Sequence, residues 1–406
     1  MPACHSPRES LMLTPAQRDI VKSTVPLLET GGEALTTHFY KGLFRDHPEV
    51  RPLFNQAHQA SGDQPRALAH GVLMYAKNID RLEALGPLAQ QIVQKHVALQ
   101  VLPAHYPLVG DSLLRAIREV LGAEIATDAV IEAWAIAYGQ LADLLIGAEA
   151  AVYADNAQAP GGWRGARAFR VAGKQRESAE ITSFHLVPAD GGPLLDFKPG
   201  QFLGLRLVVD GQEIRRNYSL SAAPDGRRYR ISVKREPGGV ASNHLHDRVQ
   251  EGDQLDVFPP AGEFTLADSG KPLVLISGGV GITPTLAMLD AALAAPGRRP
   301  VHFIHCARNA DVHAFRAHVD AQAARHPRLQ VFYCHDEPAG AGPAPHAIGR
   351  LDRARLADWL PADRDLDAYF LGPKPFMAQL QRDLQALGVP PEQSRYEFFG
   401  PASALA

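Results

Sequence analysis

The sequence predicts three consecutive parts of different fold class: an all-α domain, an antiparallel β-barrel domain and an α/β domain with a parallel sheet. Three observations predict this. Apolar residues recur at helical steps from Met12 to about Ala150, alternate with a period of two up to about residue 267, and form short runs between helical stretches after Lys271. The 406 residues suffice for two or three domains.

The first part, residues 12–150, begins with a helix-start signal. Thr14 fits the N-cap, Pro15 the first helical position and Gln17 the reciprocal position of a capping box. Apolar side chains then follow single helix faces, and these stripes include Leu35, Phe39, Leu43; Leu88, Ile92, His96; and Trp134, Tyr138, Leu141, Leu145. The pattern indicates a helical domain that ends before a Pro- and Gly-rich linker at 154–165.

The second part, residues 163–267, has the period of half-buried strands. In "RYRISVKRE" the side chains Tyr229, Ile231 and Val233 alternate with polar ones. Further strand candidates are "SFHLVP", "QFLGLRLVV" and "DQLDVFPP", separated by Gly, Pro and Asp turns. We expect an antiparallel barrel or sandwich.

The third part, residues 268–406, alternates the apolar runs "PLVLI", "PVHFIHC", "LQVFYC" and "DAYFLG" with helical stretches. Within "LVLISGGVGITPTLAML" we expect a strand ending at Ile276, a glycine turn at 278–281, Thr283 as the cap and Pro284 at the first helical position. Such a turn lets backbone amides approach a pyrophosphate. A strand, turn and helix that bind nothing explain this pattern equally well, since it is not GxGxxG.

The composition excludes several classes of protein. A formal net charge of −3 without a long basic run argues against nucleic acid as a partner. Cys4, Cys306 and Cys334 are too few and scattered for a disulfide framework. No stretch reaches about 18 consecutive apolar residues, so we expect no integral membrane segment and a soluble, cytoplasmic monomer.

The barrel region contains a candidate flavin or nucleotide site. In "RRNYSLS", Arg216 and Tyr218 face one way on an extended segment, followed by Ser219, and offer a charge and an aromatic surface to a phosphorylated ring cofactor. In "KREPGGVASNHL", Gly238 and Gly239 open a loop before a helix whose N-terminus suits a diphosphate. Each motif alone is more often an ordinary structural element.

Together, "RNYSLS", "GGVASN", "SGGVGITP", "LGPKPFM" and "YEFFGP" resemble the ferredoxin-NADP reductase family, in which a flavin-binding barrel precedes a nicotinamide-binding α/β domain. The all-α part resembles a globin, and the composite resembles the flavohaemoglobins, a nitric oxide dioxygenase family, from about Met12 to Pro401. The resemblance implies haem b, FAD and NADH or NADPH as cofactors, and dioxygen and nitric oxide as substrates.

The resemblance implies roles for residues on both sides of a haem. His96 takes the place of the axial iron ligand, with Tyr106 and Glu149 hydrogen-bonded around it. Taken alone, a histidine on an apolar helix face is more often a core or surface residue. Opposite it, Tyr40 takes the place of the hydroxyl donor to dioxygen, and the other residues of that pocket are Phe54, Gln64 and Leu68.

The resemblance also implies residues for the other cofactors. Phe399 stacks on the flavin ring, and Lys95 and Glu397 tune the flavin and haem potentials. The implied FAD-binding residues are Phe202, Arg216, Asn217, Tyr218, Ser219, Ser242, Phe398, Phe399, Gly400 and Pro401. The implied NAD(P)-binding residues are Gly278, Gly279, Val280, Gly281, Ile282 and Thr283.

Two positions depart from the family pattern. Phe202 stands where a tyrosine is frequent, which removes a hydroxyl contact to the flavin, and Leu371 replaces the cysteine of the usual CGP near the nicotinamide. The segment "DEPAGAGPAPHAIG" reads as a loop, and Arg308 does not decide between NADH and NADPH.

The resemblance implies that electrons pass from NAD(P)H through FAD to the haem, where nitric oxide is oxidised to nitrate. Two alternatives remain at this point: a flavin reductase that serves another acceptor, and an oxygen-binding sensor or store. Storage gains nothing from a continuous electron supply, which argues against the last.

Overall fold

The computed structural model describes residues 12–400, so Cys4 and Pro401 lie outside the described residues. The chain divides into two compact units, whose main stretches run to residue 155 and from 156 to 399. Each unit is described by itself below.

The first unit is helical. Thr14 Oγ1 accepts from the Gln17 amide at 3.3 Å, and Gln17 Oε1 accepts from the Thr14 amide at 2.9 Å, which confirms the capping box. The helices are α1 (Pro15–Ser23), α2 (Val25–Asp46), α3 (Gln56–Ala60), α4 (Asp63–Lys77), α5 (Gly86–Leu99), α6 (His105–Leu121) and α7 (Asp128–Gln158). Their apolar faces form a core around Phe39, Leu43 and Trp134.

Helix α7 is longer than the sequence predicts. It continues to Gln158, so residues 154–158 of the expected linker are helical. Nothing in "ADNAQ" forces a break, and the first residue that cannot continue the helix is Pro160.

Helix α7 is also, among the described residues, the one helix long and apolar enough to cross a membrane. Its buried face includes Ala133, Trp134 and Leu145, which pack into two core clusters, together with the carboxylate of Glu149. The core helix of a globular domain passes the same test of length and composition.

The second unit begins with an antiparallel sheet in the order β4-β3-β6-β1-β2-β5. Its strands are β1 (Arg167–Arg176), β2 (Ile181–Pro188), β3 (Phe202–Val209), β4 (Gln212–Ser219), β5 (Tyr229–Lys234) and β6 (Gln254–Val257). A bridge between Leu220 and Ile231 brings the chain after β4 beside β5 and curls the sheet towards a barrel. Helix α8 (Val240–Asp247) follows β5.

Strand β5 departs from strict alternation. Tyr229, Ile231 and Val233 are buried as expected, but Ser232 is buried too. The Ser232 hydroxyl hydrogen-bonds to Ser183 at 2.8 Å and Ser221 at 2.7 Å. A polar side chain is therefore tolerated on an interior face because its partners are present.

The rest of the second unit is an α/β fold with a parallel sheet in the order β10-β9-β8-β7-β11-β12. The strands are β7 (Leu273–Gly278), β8 (Val301–Ala307), β9 (Leu329–His335), β10 (Ala347–Ile348), β11 (Asp367–Leu371) and β12 (Ser394–Tyr396). The helices are α9 (Ile282–Ala294), α10 (Arg316–Arg325), α11 (Arg353–Trp359) and α12 (Lys374–Ala386). The predicted fold class, all-α followed by antiparallel β and then α/β, is confirmed.

The turn after β7 differs from the prediction in detail. The strand continues to Gly278, and α9 begins at Ile282 after one turn of 3₁₀-helix. Thr283 is therefore inside the helix, where its hydroxyl donates to the Val280 carbonyl at 3.0 Å instead of capping. Pro284 is the third helical residue, and its missing N–H costs nothing because the first turn has no intrahelical acceptors.

Candidate active site

His96 lies in the last turn of α5, and its ring is fixed by residues from two other helices. Its Nδ1 is 2.7 Å from Glu149 Oε1 and 3.2 Å from the Tyr106 hydroxyl. A carboxylate accepts hydrogen bonds, so Nδ1 is the donor in this contact. Nε2 is therefore the ring nitrogen that remains available to bind a metal ion.

Glu149 is a buried carboxylate on α7, with 1% of its surface exposed. Its Oε1 accepts from His96 and also from the Tyr106 hydroxyl at 2.6 Å, whereas Oε2 has no partner among the described residues. Burial, together with the hydrogen bond to Glu149, raises the pKa of Tyr106 well above its usual range, so this phenol stays a donor. Burying a carboxylate costs several kcal/mol. A buried carboxylate that accepts a hydrogen bond from an imidazole is typical of a functional site, because it fixes the orientation of the ring.

Tyr138 also supports this cluster, although the sequence predicts it only as part of an apolar helix face. The Tyr138 hydroxyl donates to the Tyr106 carbonyl at 2.7 Å and so ties α7 to the start of α6. Gly110 makes room for that ring, because a Cβ there would lie 2.5 Å from Tyr138 Cε1. No spacing in the sequence signals this contact, since the residues are far apart in the chain.

Tyr40 lies on α2 among aromatic rings and is 5% exposed. Its ring is 4.8 Å from Phe39, 5.7 Å from Phe44 and 5.5 Å from Phe54, measured between ring centroids. Gln64 on α4 donates to the hydroxyl oxygen over a long 3.4 Å. Within residues 12–400, no acceptor takes the proton of that hydroxyl, and burial raises the pKa of Tyr40 far above its usual range.

These residues fit a haem better than a bare metal ion. No group of three or more His, Cys, Asp or Glu side chains able to hold a metal is present between residues 12 and 400. A porphyrin supplies four nitrogens of its own, so the protein needs to contribute one axial ligand. The oriented His96 imidazole meets that requirement, and Leu68 and Phe54 are partly buried apolar side chains on the core that contains Tyr40.

The antiparallel sheet holds the predicted flavin residues on one strand. Arg216 and Tyr218 on β4 are partly buried, whereas Asn217 between them is exposed. Burial lowers the pKa of Arg216, and the hydrogen bond found for this guanidinium goes to the Arg215 carbonyl at 2.7 Å rather than to a carboxylate. A partly buried arginine without an acidic partner fits a phosphate group.

The remaining predicted flavin residues lie on neighbouring elements. Phe202 on β3 pairs with Ser219, and both are buried. Ser242 in α8 accepts from the Glu236 amide at 3.1 Å and holds the loop before the helix. Helix α8 has no side-chain cap, which leaves its first amides open to an anion.

The turn after β7 requires glycine at two positions, because the backbone there has a positive φ and passes close to the end of β11. Gly279 has a φ of 54°, which favours glycine. A Cβ on Gly281 would lie 2.5 Å from the Leu371 carbonyl oxygen, so only glycine fits against the end of β11. Helix α9 begins without a side-chain cap, and the Ile282 amide donates to the Gly279 carbonyl inside the 3₁₀ turn. The turn of Gly278, Gly279, Val280, Gly281, Ile282 and Thr283 therefore brings a phosphate close to backbone at the N-terminus of α9.

Two of the other predicted residues are in contact, since Lys95 Nζ donates to the Gly400 carbonyl at 2.6 Å. Lys95 is next to His96 on α5, and Glu397, Phe398, Phe399 and Gly400 follow β12 at the end of the described chain. Phe399 is 49% exposed, which is high for a phenylalanine and suits a ring that covers a ligand. Their assigned roles remain predictions.

Comparison with known proteins gives three family matches in the order of the observed fold. A globin model matches residues 37–145, an oxidoreductase FAD-binding domain residues 168–266, and an oxidoreductase NAD-binding domain residues 275–382.

Relatives cover almost the whole chain. Flavohemoproteins from Pseudomonas aeruginosa and from a Burkholderia species are each 68% identical over 394 residues, covering 97% of this chain and 100% of theirs. A Deinococcus radiodurans flavohemoprotein is 49% identical and covers 97% of this chain and 99% of its own.

Two solved structures extend the comparison. A Malassezia yamatoensis flavohemoglobin with bound FAD and heme superposes with a TM-score of 0.85 at 24% identity, covering 96% of this chain and 100% of that one. The FAD/NAD-binding domain of a nitric oxide dioxygenase from Vibrio cholerae has a TM-score of 0.55 at 37% identity, covering 59% of this chain and all of that one.

Proposed function

Since the chain belongs to the flavohaemoprotein family, with haem, FAD and a nicotinamide dinucleotide as its cofactors, we propose that it is a nitric oxide dioxygenase. It converts nitric oxide and dioxygen to nitrate with electrons from NADH or NADPH. The name of the Vibrio cholerae structure supports this activity. In this chain, the observation that carries it is the hydrogen bond between His96 and Glu149, together with the Tyr40 hydroxyl whose proton has no acceptor among residues 12–400.

When bound, FAD accepts an electron pair from the nicotinamide and releases single electrons, and the haem iron binds the diatomic substrates and changes oxidation state. The chain's own residues must position and tune these groups. We propose that residues 12–150 hold the haem, 163–267 the FAD and 268–406 the nucleotide.

On the axial side, Glu149 takes a hydrogen bond from His96 Nδ1 at 2.7 Å. This contact gives the imidazole partial anionic character, and Nε2 becomes a stronger electron donor. A strong donor favours oxidative chemistry over simple storage of dioxygen. Tyr106 and Tyr138 keep the carboxylate in place.

On the opposite side, we assign Tyr40 as the donor to dioxygen. Its hydroxyl accepts weakly from Gln64 and keeps its own proton available, and its raised pKa keeps that proton in place at neutral pH. A buried donor aimed at developing negative charge stabilises it far better than water does.

In the second unit, we assign Arg216, Tyr218, Ser219 and the first turn of α8 to FAD. The same assignment includes Phe202, Asn217, Ser242, Phe398, Phe399, Gly400 and Pro401. The turn at 278–283 takes the pyrophosphate of the nucleotide at the N-terminus of α9. Lys95 and Glu397 tune the two potentials.

The proposal is tested by following nitric oxide with an electrode in a solution of purified holoenzyme. We expect consumption that requires both dioxygen and reduced nicotinamide, with nitrate formed in equal amount to the nitric oxide lost. Consumption that proceeds without dioxygen, or flavin turnover with no nitric oxide loss, would contradict the proposal and favour a plain flavin reductase.

We also propose that the protein works as a cytoplasmic monomer. Cys306 and Cys334 are free thiols in the structure, which agrees with a reducing compartment. Light scattering of the purified holoenzyme and fractionation of cells test this; a stable dimer or a membrane-bound pool would contradict it.

A further inference from the structure

Two cysteines lie side by side in the parallel sheet of the second unit. Cys306 on β8 and Cys334 on β9 are register partners, and so are Gly278 on β7 and Cys306. The three residues therefore form a row across neighbouring strands, at the carboxyl edge where the glycine turn begins. Open parallel sheets bind ligands at this edge.

The register gives the two cysteines the spacing that a disulfide needs. Neighbouring strands are about 4.8 Å apart, which falls inside the Cα separation of about 4.4–6.8 Å found in disulfides. Register partners also point their side chains to the same face of a sheet. Closing the bond requires only a small approach of the two Cβ atoms, from about one strand spacing to the ~3.5–4.5 Å found in disulfides.

The thiols already interact with each other and with their surroundings. A hydrogen bond with Cys306 and the nearby charge of Arg355 on α11 hold the pKa of Cys334 below its usual value, against the opposing effect of burial. Cys334 also donates to the Gly349 carbonyl at 2.8 Å. The hydrogen bond with Cys334, together with burial, raises the pKa of Cys306, so the thiolate of the pair is on Cys334. Cys306 is partly exposed, whereas Cys334 is 1% exposed, so a small oxidant enters beside Cys306.

We propose that Cys306 and Cys334 form a reversible dithiol–disulfide pair whose oxidation by peroxide is coupled to occupancy of the neighbouring nucleotide site. The coupling rests on the proposed function, because it assumes that the nucleotide binds beside Gly278. The pairing itself does not, since it follows from the register of β8 and β9.

The chemistry needs one peroxide for each disulfide. The Cys334 sulfur loses its proton and attacks a peroxide oxygen, which breaks the O–O bond and leaves a sulfenic acid on Cys334 and one water that has taken up that proton. The Cys306 sulfur then attacks the Cys334 sulfur and displaces the hydroxyl, which leaves as a second water after taking up the proton of Cys306. Two thiols lose two electrons in total, and hydrogen peroxide is reduced to two waters.

Coupling follows from the shared strand. A nucleotide on the turn at 278–281 covers the approach to Cys306, so it slows oxidation. This shielding is an effect on the rate, so it is measured as slower formation of the disulfide at a fixed peroxide concentration.

The test uses full-length holoenzyme with Cys4→Ser, so that two cysteines remain. Hydrogen peroxide is added with and without saturating NAD⁺, and peptides are mapped without reduction. We expect a linked 306–334 peptide that dithiothreitol reverses, formed at least fivefold more slowly with NAD⁺. Cys306→Ser, at the partly exposed position, is the control and must abolish the linkage.

Two results would overturn the proposal. Peroxide that leaves both thiols free, or that drives each separately to sulfinic acid, removes the dithiol pair. A linkage that forms at the same rate with and without NAD⁺ removes the coupling. Flavin reduction by NADH, measured on the reduced enzyme, reports on the proposed function independently, so the two failures are distinguishable.

Discussion

The two sides of the haem pocket use tyrosine in opposite ways. Beside His96, the Tyr106 hydroxyl gives its proton to Glu149 at 2.6 Å, and Tyr138 gives its proton to a backbone carbonyl at 2.7 Å. Tyr40 only accepts, from Gln64 at 3.4 Å. Both tyrosines beside His96, the proposed iron ligand, have an acceptor for their proton, whereas Tyr40, the proposed donor to dioxygen, has none among residues 12–400.

A structural phenol and a functional phenol differ in whether the protein supplies an acceptor for the hydroxyl proton. Tyr75 is as buried as Tyr40, and its hydroxyl donates to the Ala137 carbonyl at 2.8 Å. Burying a hydroxyl whose proton has no acceptor costs about 1–3 kcal/mol. The fold accepts this cost at Tyr40 where a ligand can supply the acceptor.

The largest effect is expected from removing the axial ligand. His96→Ala should lower the haem content of the purified protein at least tenfold, because His96 is the one described imidazole that hydrogen-bonds to Glu149. The ratio of haem to FAD absorbance measures this. His70→Ala, at an exposed histidine of α4, is the control and should leave the ratio unchanged.

The next largest effect is expected on the opposite side. Tyr40→Phe removes a hydrogen bond to a partly negative ligand, worth about 1.5–3 kcal/mol, so dioxygen should dissociate roughly 10- to 100-fold faster. Stopped-flow displacement of dioxygen measures the rate.

Tyr75→Phe is the matched control for Tyr40→Phe. It removes a phenolic hydroxyl of equal size from the same core and should lower the melting temperature while leaving dioxygen dissociation within about twofold. Equal effects of the two variants on dissociation would mean that Tyr40 acts through packing alone.

A smaller effect is expected from neutralising the carboxylate. Glu149→Gln keeps the shape but weakens the hydrogen bond to His96, so the haem reduction potential should rise and nitric oxide turnover should fall about tenfold. A redox titration with both absorbance bands measures the potential. Glu132→Gln, exposed on the same helix, should change neither; a Glu149→Gln protein with the wild-type potential would exclude the electronic role.

The smallest effect concerns pH. Burial raises the pKa of Tyr40 above its ordinary value of about 10, so the neutral donor form persists past the pH at which an exposed tyrosine ionises. We expect the dioxygen dissociation rate to stay flat from pH 7 to about 10, measured relative to Tyr40→Phe. A Tyr40-dependent rise centred below about pH 10 would show that the phenol ionises in the pocket.

Sequence patterns predicted the elements better than their edges. The Thr14–Gln17 capping box is local chemistry and is confirmed, and the alternating and apolar runs located most of the strands. The predicted end of α7 was wrong because Asp155 and Asn156 are weak helix formers, and a packed helix still tolerates such residues. The start of α9 was wrong because the 3₁₀ turn leads directly into the helix before Pro284.

The site depended on more than spacing. His96 and Glu149 are 53 residues apart, and no periodicity links them. Their pairing was implied by resemblance, and the structure brings them to 2.7 Å. The supporting contact of Tyr138 with the Tyr106 carbonyl had no signal at all, because a backbone acceptor leaves no trace in residue types.

The central claim is that the His96 imidazole is the axial ligand of the haem. The most direct measurement removes that side chain and supplies imidazole from solution. His96→Gly is purified with and without ~10 mM imidazole, and haem content and absorption are recorded. We expect little bound haem without imidazole, and a wild-type absorption spectrum when imidazole is present. Full haem content and an unchanged spectrum without imidazole would contradict it.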